Sequence, residues 1–296
     1  MMTRIGMYVF LYPLSLLPLR VLYGIGACIR FFVYTVFRYR VQVVRTNLAN
    51  SFPNKSEEER KQIEKAYYKH LCDLFMEGVK LLTLSRKSLM KRYHCQNPEM
   101  INQYFEKRQS VVLLSSHYNN WEWMVLSLSI QFSHHGIGVG KPNSNKVFEK
   151  IINRARTRYG TEVVFADTVR DVFERNDEQS VLCAYMMLSD QSPANVKKSF
   201  ITTFLHQPSA MIFGGEYFAK KYNYPVLYYV IKKVKRGYYE IILKYITDTP
   251  QQLSYGEITK TYVQYLEQDI NENPQFWLWS HKRWKHKVDL SLKNVS

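Results

Sequence analysis

His117 and Glu122, which lie five positions apart, are the residues whose types and spacing best suit catalysis. A carboxylate that binds one nitrogen of an imidazole fixes its tautomer and makes the other nitrogen a better base. Such a base could deprotonate a substrate hydroxyl as that hydroxyl attacks an acyl group. The alternative interpretation is a histidine at the end of a strand beside a solvated glutamate, since paired groups are often structural.

The sequence around this pair predicts a strand, a loop and a helix. Residues 111–115 form an apolar run that is typical of a buried strand. Residues 121–132 predict the following helix, with Asn119 or Asn120 as its N-cap. On one continuous helix, residues five apart point away from each other. A break between strand and helix removes that restriction, so the carboxylate could reach the ring of His117.

Strands and helices are predicted to alternate from residue 110 onward. Strands are expected near residues 111–115, 136–140, 162–165, 181–187, 200–204, 225–231 and 239–245, and helices near 121–132, 145–159, 168–175, 210–221 and 257–271. This alternation predicts an α/β fold, a layered mixed sheet flanked by helices that is largely parallel at first. Gly237 lies in the turn of the last hairpin, whose strands are therefore antiparallel. Residues 38–296 are predicted to form a single domain.

Residues 1–37 are rich in apolar and aromatic side chains and predict an N-terminal membrane-associated helical segment. Two prolines and an arginine interrupt the apolar run over residues 5–29, so it is a poor match to the roughly 20 apolar residues of a spanning helix. We expect a membrane anchor or interfacial helices, with arginines at the lipid headgroups. The alternative is an apolar helix that packs on the protein core. The arginines are Arg20, Arg30 and Arg38.

The composition restricts the classes of partner and cofactor. The chain carries 41 Lys and Arg against 25 Asp and Glu, a net charge of +16, which suits nucleic acid, anionic lipid or an acidic protein. No nucleic-acid recognition motif is present, so we expect no nucleic acid as partner. The four cysteines have no zinc or disulfide spacing, which fits a reducing compartment. We expect no metal and no cofactor, and the lack of a Gly-x-Ser-x-Gly elbow argues against an acyl-serine.

Four motifs in order resemble one family over nearly the whole chain. The His-x-x-x-x-Glu pattern from His117 to Glu122 resembles the glycerolipid-type acyltransferases, and its Asn-Trp-Glu ending is most similar to the lipid A biosynthesis (late) acyltransferases, the lauroyl and myristoyl transferases. The other matching stretches are Arg45-Thr46-Asn47-Leu48 with Ser51-Phe52-Pro53, Asp190-Gln191 with Pro193, and the tryptophan-rich block from Phe276 to Lys285.

The resemblance implies a membrane-associated O-acyltransferase with a glycerolipid acyltransferase-like fold, in which His117 is the general base and is held by Glu122. It implies acyl carrier protein as the acyl donor and a lipid A precursor as the acceptor. It also implies a location at the cytoplasmic face of the cell inner membrane, and the basic charge of the chain favours an anionic membrane surface as a further partner. Acylation of another lipid, such as a lysophospholipid, aminolipid or glycolipid, is the alternative of the same class. A non-catalytic membrane-binding protein of the same fold is the alternative of a different class.

Further candidate site residues come from the same comparison of motifs. The family's arginine before a glycine matches Arg156 best and Arg154 next, and an arginine fork could hold a phosphate or an oxyanion. A solvated helix face is the alternative. Asp190 and Gln191 follow a predicted strand, where α/β sheets collect ligand groups, and the resemblance implies that Asp190 orients His117 or the arginine. An Asx-turn into the following proline is the alternative.

Asn120 is the remaining support residue expected at the site. The loop departs from the family at positions 116, 118 and 119, where serine, tyrosine and asparagine replace the usual small or aromatic residues. His206 stands where the family has a glycine, and a histidine does not permit the same close backbone approach. These departures leave the identity of the acceptor open.

Overall fold

A computed structural model describes residues 4–290 of the chain. The strands of this part are β1 (Tyr93–Cys95), β2 (Val111–Ser115), β3 (His135–Gly140), β4 (Glu162–Phe165), β5 (Cys183–Leu188), β6 (Ser199–Phe204), β7 (Gln207–Ile212), β8 (Val226–Lys235) and β9 (Tyr238–Thr247). The α-helices are α1 (Arg4–Leu16), α2 (Leu19–Arg30), α3 (Val41–Ser51), α4 (Glu57–Lys80), α5 (Arg86–Arg92), α6 (Glu99–Glu106), α7 (Trp121–Gln131), α8 (Lys146–Arg156), α9 (Val169–Glu178), α10 (Gly214–Tyr222) and α11 (Glu257–Glu272).

Seven strands form one mixed sheet in the order β1-β9-β8-β2-β5-β3-β4. Strand β2 is at its centre and runs parallel to both neighbours, β8 and β5. Strands β3 and β4 continue the parallel half, whereas β8 and β9 are antiparallel. The predicted α/β fold, with helices on both sides of a largely parallel sheet and an antiparallel last hairpin, is confirmed.

The central strand is buried on both of its faces. Val112 and Leu114 belong to one hydrophobic cluster, and Val111 and Leu113 belong to another on the opposite face. Parallel strands covered by helices on both sides read as continuous apolar runs, which is why this strand is recognisable in the sequence. Its carboxyl end is the first point at which the chain can leave the core, and Ser115 is the last residue of the strand.

A separate hairpin replaces part of one predicted helix. The helix predicted over residues 210–221 begins only at Gly214, because the preceding residues form β7, which pairs antiparallel with β6. Leu205 and His206 make the two-residue turn between these strands, with φ of 48° and 63°. Two-residue turns of this kind need positive φ at both positions, a conformation that glycine adopts most easily. The glycine expected at position 206 therefore has a backbone explanation, and His206 fills the position at a cost in strain.

The N-terminal helices pack on α4 with one side and leave the other uncovered. A continuous helix, Leu19–Val36, is long and apolar enough to cross a membrane, with a mean hydropathy of 1.4 and 22% of it buried. Its last part, Phe31–Val36, is a π-helix. Gly26 permits the close approach to α4, since a Cβ there would lie 3.0 Å from Met76. Residues 1–3 of the predicted anchor lie outside the described residues.

Large apolar side chains are exposed along this N-terminal part of the chain. Phe37 is 74% exposed, and Phe75 on the adjoining helix α4 is 58% exposed. Contiguous apolar surface of this kind marks sites that bind membranes or other proteins. The other exposed large apolar residues here are Val9, Phe10, Tyr12, Leu16, Val21, Phe31, Phe32, Val36 and Tyr39.

The buried carboxylate of Glu77 connects these helices to the sheet and to the loop after β2. It accepts hydrogen bonds from Tyr23 Oη at 2.6 Å, from Tyr239 Oη at 2.8 Å and from Asn120 Nδ2 at 2.6 Å. Burial raises the pKa of Glu77, and the hydrogen bonds from Tyr23, Tyr239 and Asn120 together with the charge of Lys233 oppose that rise. A fully buried carboxylate needs such donors, so this residue fixes three elements relative to one another.

The exposed apolar surface predicts membrane association that resists salt. Wild-type protein should sediment with membranes and stay there in high salt, because apolar burial is not screened by ions. Replacing Phe31, Phe32 and Phe37 together by lysine should move a large fraction of the protein to the supernatant. The measurement is quantitative immunoblotting of the membrane and soluble fractions.

The matched control is replacement of Val234 and Tyr245, which are also exposed but belong to the hairpin of β8 and β9. Lysine at these two positions should leave the distribution unchanged. Full extraction of wild-type protein by salt, or equal release of the two variants, would contradict an apolar mode of attachment through the N-terminal part.

Candidate active site

His117 and Asp190 are brought together by the register of the two central strands. In the parallel pair of β2 and β5, Ser115 lies opposite Leu188. His117 and Asp190 each lie two residues beyond this pair, so both side chains emerge at the same edge of the sheet. His117 Nδ1 lies 2.8 Å from Asp190 Oδ1. Of the two roles that the resemblance implies for Asp190, the structure therefore supports orientation of His117.

The environment of Asp190 keeps it ionised. The residue is 1% exposed, and its second oxygen accepts a hydrogen bond from Trp277 Nε1 at 2.9 Å. Burial alone would raise its pKa, but the charge of His117 and the hydrogen bonds from His117 and Trp277 outweigh burial and lower the pKa of Asp190 below its ordinary value. An ionised Asp190 requires a proton on His117 Nδ1, which leaves Nε2 free to act as a base.

Gln191 faces that basic nitrogen. Its Nε2 atom lies 3.1 Å from His117 Nε2, and an amide N–H donated to the ring matches the tautomer set by Asp190. The His117 side chain is 19% exposed and packs edge-on against Trp121, with ring centroids 5.0 Å apart. An incoming hydroxyl would take the place of the Gln191 amide at the base.

Glu122 does not occupy the position that the sequence predicts for it. Instead of holding His117, it forms a two-point ion pair with Arg156, at 2.8 Å from Nε and 2.6 Å from Nη2. A guanidinium offers two parallel donors that fit a carboxylate, which is a stronger match than one ring nitrogen. Burial lowers the pKa of Arg156, but the charge of Glu122 and its hydrogen bonds outweigh this and raise the pKa above its ordinary value. Glu122 and Arg156, both predicted as site residues, therefore pair with each other and join α7 to α8.

Asn120 is the N-cap of α7, one of the two positions that the sequence predicts. Its Oδ1 accepts from the backbone N–H of Trp123 at 3.0 Å while its Nδ2 donates to Glu77. Asn119, which departs from the family, has a positive φ of 54° and donates its side-chain amide to Ile231 O at 2.6 Å. Both asparagines are therefore used to shape the loop that carries His117.

The other arginines on this part of the chain do not reach His117. Arg154, the second choice from the sequence, lies on the exposed face of α8. Arg158 donates to the backbone oxygens of Leu81, Leu82 and Leu84 at the end of α4. Arg154 therefore fits the alternative of a solvated helix face, and the contacts of Arg158 are structural.

The C-terminal block surrounds the pair from the other side. Tyr118 forms a backbone bridge with Trp277, whose ring nitrogen binds Asp190. His281 Nε2 accepts a hydrogen bond from the backbone N–H of Ser192 at 3.1 Å. The sequence indicates that this block is ordered because it contains three tryptophans, but it gives no signal that Trp277 and His281 belong to the site.

The N-terminal motif holds the same block in place. Asn47 Nδ2 donates to Trp279 O at 2.8 Å and to His281 O at 3.0 Å. Tyr67 Oη accepts from the backbone N–H of Ser280 at 3.0 Å, and Arg40 donates to Ser280 O at 2.8 Å. Segment 279–281 is therefore fixed by side chains from the distant N-terminal part of the chain.

A cavity of about 450 Å³ reaches Trp121, whose ring packs against His117, although neither His117 nor Asp190 lines it. Cavities of about 300–1,000 Å³ commonly hold small-molecule ligands. Its apolar lining includes Leu71, Leu74, Phe75, Val79, Phe148, Ile151 and Ile152. Its polar lining includes Asn120, Glu122, Arg156, Ser280 and His281, next to Trp121. Within residues 4–290, no three His, Cys, Asp or Glu side chains are grouped as metal ligands.

This arrangement can remove a proton from a hydroxyl near Trp121, which separates His117 from this apolar chamber. His117 supplies the basic nitrogen, and Asp190 fixes its tautomer and stabilises the imidazolium that forms. The chamber can hold a hydrocarbon chain, since most of its lining is aliphatic or aromatic. A hydroxyl, a base and an apolar chain together are the requirements of fatty acyl transfer.

Comparisons with known proteins identify the family. The sequence matches the family model "Bacterial lipid A biosynthesis acyltransferase" over residues 2–286. The crystal structure of the 1-acyl-sn-glycerophosphate (LPA) acyltransferase, PlsC, from Thermotoga maritima is similar with a TM-score of 0.40 and 13% sequence identity, over 88% of this chain and 100% of that chain. A comparison with curated protein sequences gives no significant match. Because the family match spans nearly the whole chain, this protein belongs to the bacterial lipid A biosynthesis acyltransferases.

Proposed function

We propose that this protein is a membrane-associated O-acyltransferase that transfers a fatty acyl chain from acyl carrier protein to a hydroxyl of a lipid A precursor. The observation that carries the proposal is the hydrogen-bonded pair of His117 and Asp190, which packs against Trp121 at the wall of an apolar cavity of about 450 Å³. The family supports acyl transfer to a lipid, and the finer assignment of donor and acceptor is inferred from it.

The proposed reaction passes through one tetrahedral intermediate. His117 Nε2 takes the proton of the acceptor hydroxyl while its oxygen attacks the carbonyl carbon of the donor thioester. The carbonyl electron pair moves to oxygen and then reforms the double bond as the carbon–sulfur bond breaks. The thiolate takes the proton from the His117 imidazolium, so that an ester and a free thiol are the products. Asp190 stays ionised and stabilises the transient imidazolium.

The ion pair of Glu122 and Arg156 has a supporting role in this proposal. It joins the first turn of α7, directly after the loop that carries His117, to the last turn of α8. Both side chains also line the polar end of the cavity. The pair is therefore placed to hold the loop and the apolar chamber in fixed positions relative to each other.

We also propose that the acceptor is bound at the cytoplasmic face of the inner membrane, and the exposed edge of the cavity supports a membrane-bound acceptor. Leu11, Tyr39 and Phe75 line the cavity, and the last two are 49% and 58% exposed. The apolar chamber thus meets the exposed apolar surface of the N-terminal part. A lipid chain can move between bilayer and chamber without exposing its methylenes to water, which would cost about 0.8 kcal/mol for each CH₂.

Loss of the protein should remove one acyl chain from lipid A. Mass spectra of lipids from a deletion strain should show a lipid A species lighter by one fatty acyl group, and wild-type protein supplied from a plasmid should restore it. His117→Ala should not restore it, because the base is missing. A missing acyl chain on another lipid class would contradict the proposed acceptor, and unchanged lipids would contradict acyl transfer itself.

The roles of the two carboxylates can be separated by kinetics. His117→Ala should lower kcat by about 10²–10⁴-fold, the usual worth of a positioned base. Asp190→Asn should cost a similar factor because an amide no longer enforces the Nδ1–H tautomer. Glu122→Gln should cost less than about tenfold, since the amide oxygen of the new side chain keeps one of the two hydrogen bonds to Arg156. A larger loss for Glu122→Gln than for Asp190→Asn would assign the orienting role to Glu122.

The basic surface next to the cavity predicts an electrostatic encounter with an acidic carrier protein. Lys282 and Lys285 are exposed and follow His281 in the sequence. Lys233 and Arg236 are also basic, but they form ion pairs with Asp73, so their replacement would test those ion pairs as well. Replacing both Lys282 and Lys285 by glutamate should raise the KM for acyl carrier protein several-fold with little change in kcat. The effect should shrink above about 0.1 M salt, where the screening length is roughly 10 Å.

The control variant makes the same change in charge at the opposite end of the sheet. Lys107 and Arg108 are exposed and precede the first residue of β2, whereas the site lies beyond its last residue. Glutamate at both positions should leave the KM unchanged. Use of acyl-coenzyme A should respond less to the Lys282 and Lys285 variant because it presents no extended acidic surface. An identical response of the two donors to that variant would contradict a carrier-protein site.

A further inference from the structure

His281 is a cavity-lining histidine to which neither the proposed base nor the proposed ion pair gives a function. Its Nε2 accepts the backbone N–H of Ser192 at 3.1 Å, so this nitrogen carries a lone pair. A neutral imidazole has one N–H, and that proton must then be on Nδ1. A doubly protonated ring would place two N–H groups against each other, so the contact with Ser192 selects the neutral form.

The Nδ1 atom of His281 has no hydrogen-bond partner among residues 4–290 and is not a buried atom. The ring lines the cavity together with Glu122 and Arg156. An N–H donor on a residue that lines a largely apolar cavity, with no partner within residues 4–290, has an unmet hydrogen-bonding capacity. Such a group is worth more in a low-dielectric site than in water.

His281 is also near the base. Ser192, which binds its ring, is two residues from Asp190, and Gln191 between them contacts His117 Nε2. Burial is the largest cause that lowers the pKa of His281, to about 4, and the neighbouring charges of His117 and Asp190 act on it in opposite directions. This lowered pKa agrees with the neutral form of the ring that the contact with Ser192 selects.

We propose that His281 is a second catalytic histidine, which donates its Nδ1–H to the oxyanion that forms on the thioester carbonyl. The proposal rests on acyl transfer as the proposed function. When the acceptor oxygen attacks, the carbonyl electron pair moves onto oxygen, and this oxygen accepts the His281 hydrogen bond without taking the proton. The bond weakens again as the carbonyl reforms and the thiolate leaves. His117 transfers the proton and His281 stabilises charge.

The surroundings of His281 are rigid enough for this role. Its backbone oxygen accepts from Asn47 Nδ2, and the preceding residue, Ser280, is bonded to Tyr67 and Arg40. Stabilisation of a transition state requires donors that are held in place before the reaction begins. This role explains why Asn47, in the N-terminal motif, binds the C-terminal block.

Two substitutions separate the catalytic role of His281 from a structural one. Glutamine places an amide oxygen near the position of Nε2, so His281→Gln keeps the acceptor for Ser192 and loses the donor. Asparagine places an amide N–H near the position of Nδ1, so His281→Asn keeps the donor and loses the acceptor. A catalytic donor predicts that His281→Asn is the more active variant, whereas a structural anchor predicts that His281→Gln is.

The experiment measures thiol release from myristoyl–acyl carrier protein, with the lipid extract of the deletion strain as acceptor. We expect His281→Gln to lower kcat by about 10²–10³-fold, the usual worth of one oxyanion donor, with little change in KM. We expect His281→Asn to retain at least about tenfold more activity than His281→Gln. Thermal unfolding of both variants in detergent should match wild type within a few degrees.

The dependence on pH provides a second readout. Because the pKa of His281 is lowered to about 4, the acidic limb of the kcat/KM profile should be the same for His281→Gln and wild type. A shifted limb, wild-type activity of His281→Gln, or the reverse order of the two variants would overturn the proposal. In each of those cases, thiol release by wild-type protein would keep acyl transfer as the proposed function. A wild-type protein that releases no thiol would overturn the proposed function instead.

Discussion

The carboxylate of Glu77 is the constraint on which the arrangement of the site depends. An ionisable group buried this completely must be surrounded by donors, and its donors come from three separate elements. Tyr23 belongs to the apolar N-terminal helix α2, Tyr239 to β9, and Asn120 to the loop after β2. Removing any one of them would leave the buried carboxyl group short of a hydrogen-bond partner, so the three elements keep their relative positions.

The geometry of the site follows from that constraint. Asn120 uses its amide N–H for Glu77 and its oxygen to cap α7, and this fixes where the helix begins. Glu122 then points from the first turn of α7 toward Arg156 on α8. The same loop leaves His117 at the end of β2, where the parallel neighbour β5 delivers Asp190. The carboxylate of Glu77 therefore holds the loop in place, and the carboxylate of Asp190 orients the ring of His117.

The sequence predicts the local parts of this site better than their pairing. The strand before His117, the cap at Asn120 and the helix that follows are readable because hydrophobic runs and capping residues are local signals. The partner of His117 is not local. It depends on β5 lying next to β2 in a sheet whose order departs from the order of the chain, so a carboxylate five residues away looks more suitable than one 73 residues away.

The same distinction explains the main difference in the fold. Most strands of the parallel half are within two residues of their predicted bounds, since buried parallel strands are apolar throughout. Strand β7 is different: it belongs to a separate two-stranded hairpin and includes Pro208, and its turn uses Leu205 and His206 rather than asparagine and glycine. Without the usual turn residues, the sequence assigns the apolar run from Ala210 to the helix that begins at Gly214.

The family motifs at the two ends of the chain matter because they bind each other, and the C-terminal one lines the cavity through Ser280 and His281. Asn47 binds the backbone of the C-terminal block through two hydrogen bonds, and Phe52 packs on Trp279 with ring centroids 5.6 Å apart. In that block, Trp277 donates a hydrogen bond to Asp190, and His281 lines the cavity. On its other side the cavity reaches Tyr39 and Phe75 at the exposed apolar surface. A lipid acceptor and an acyl chain could thus meet at His117 while their hydrocarbon parts stay out of water, and this separation of apolar chamber from polar chemistry is the physical argument for placing such an enzyme at a membrane.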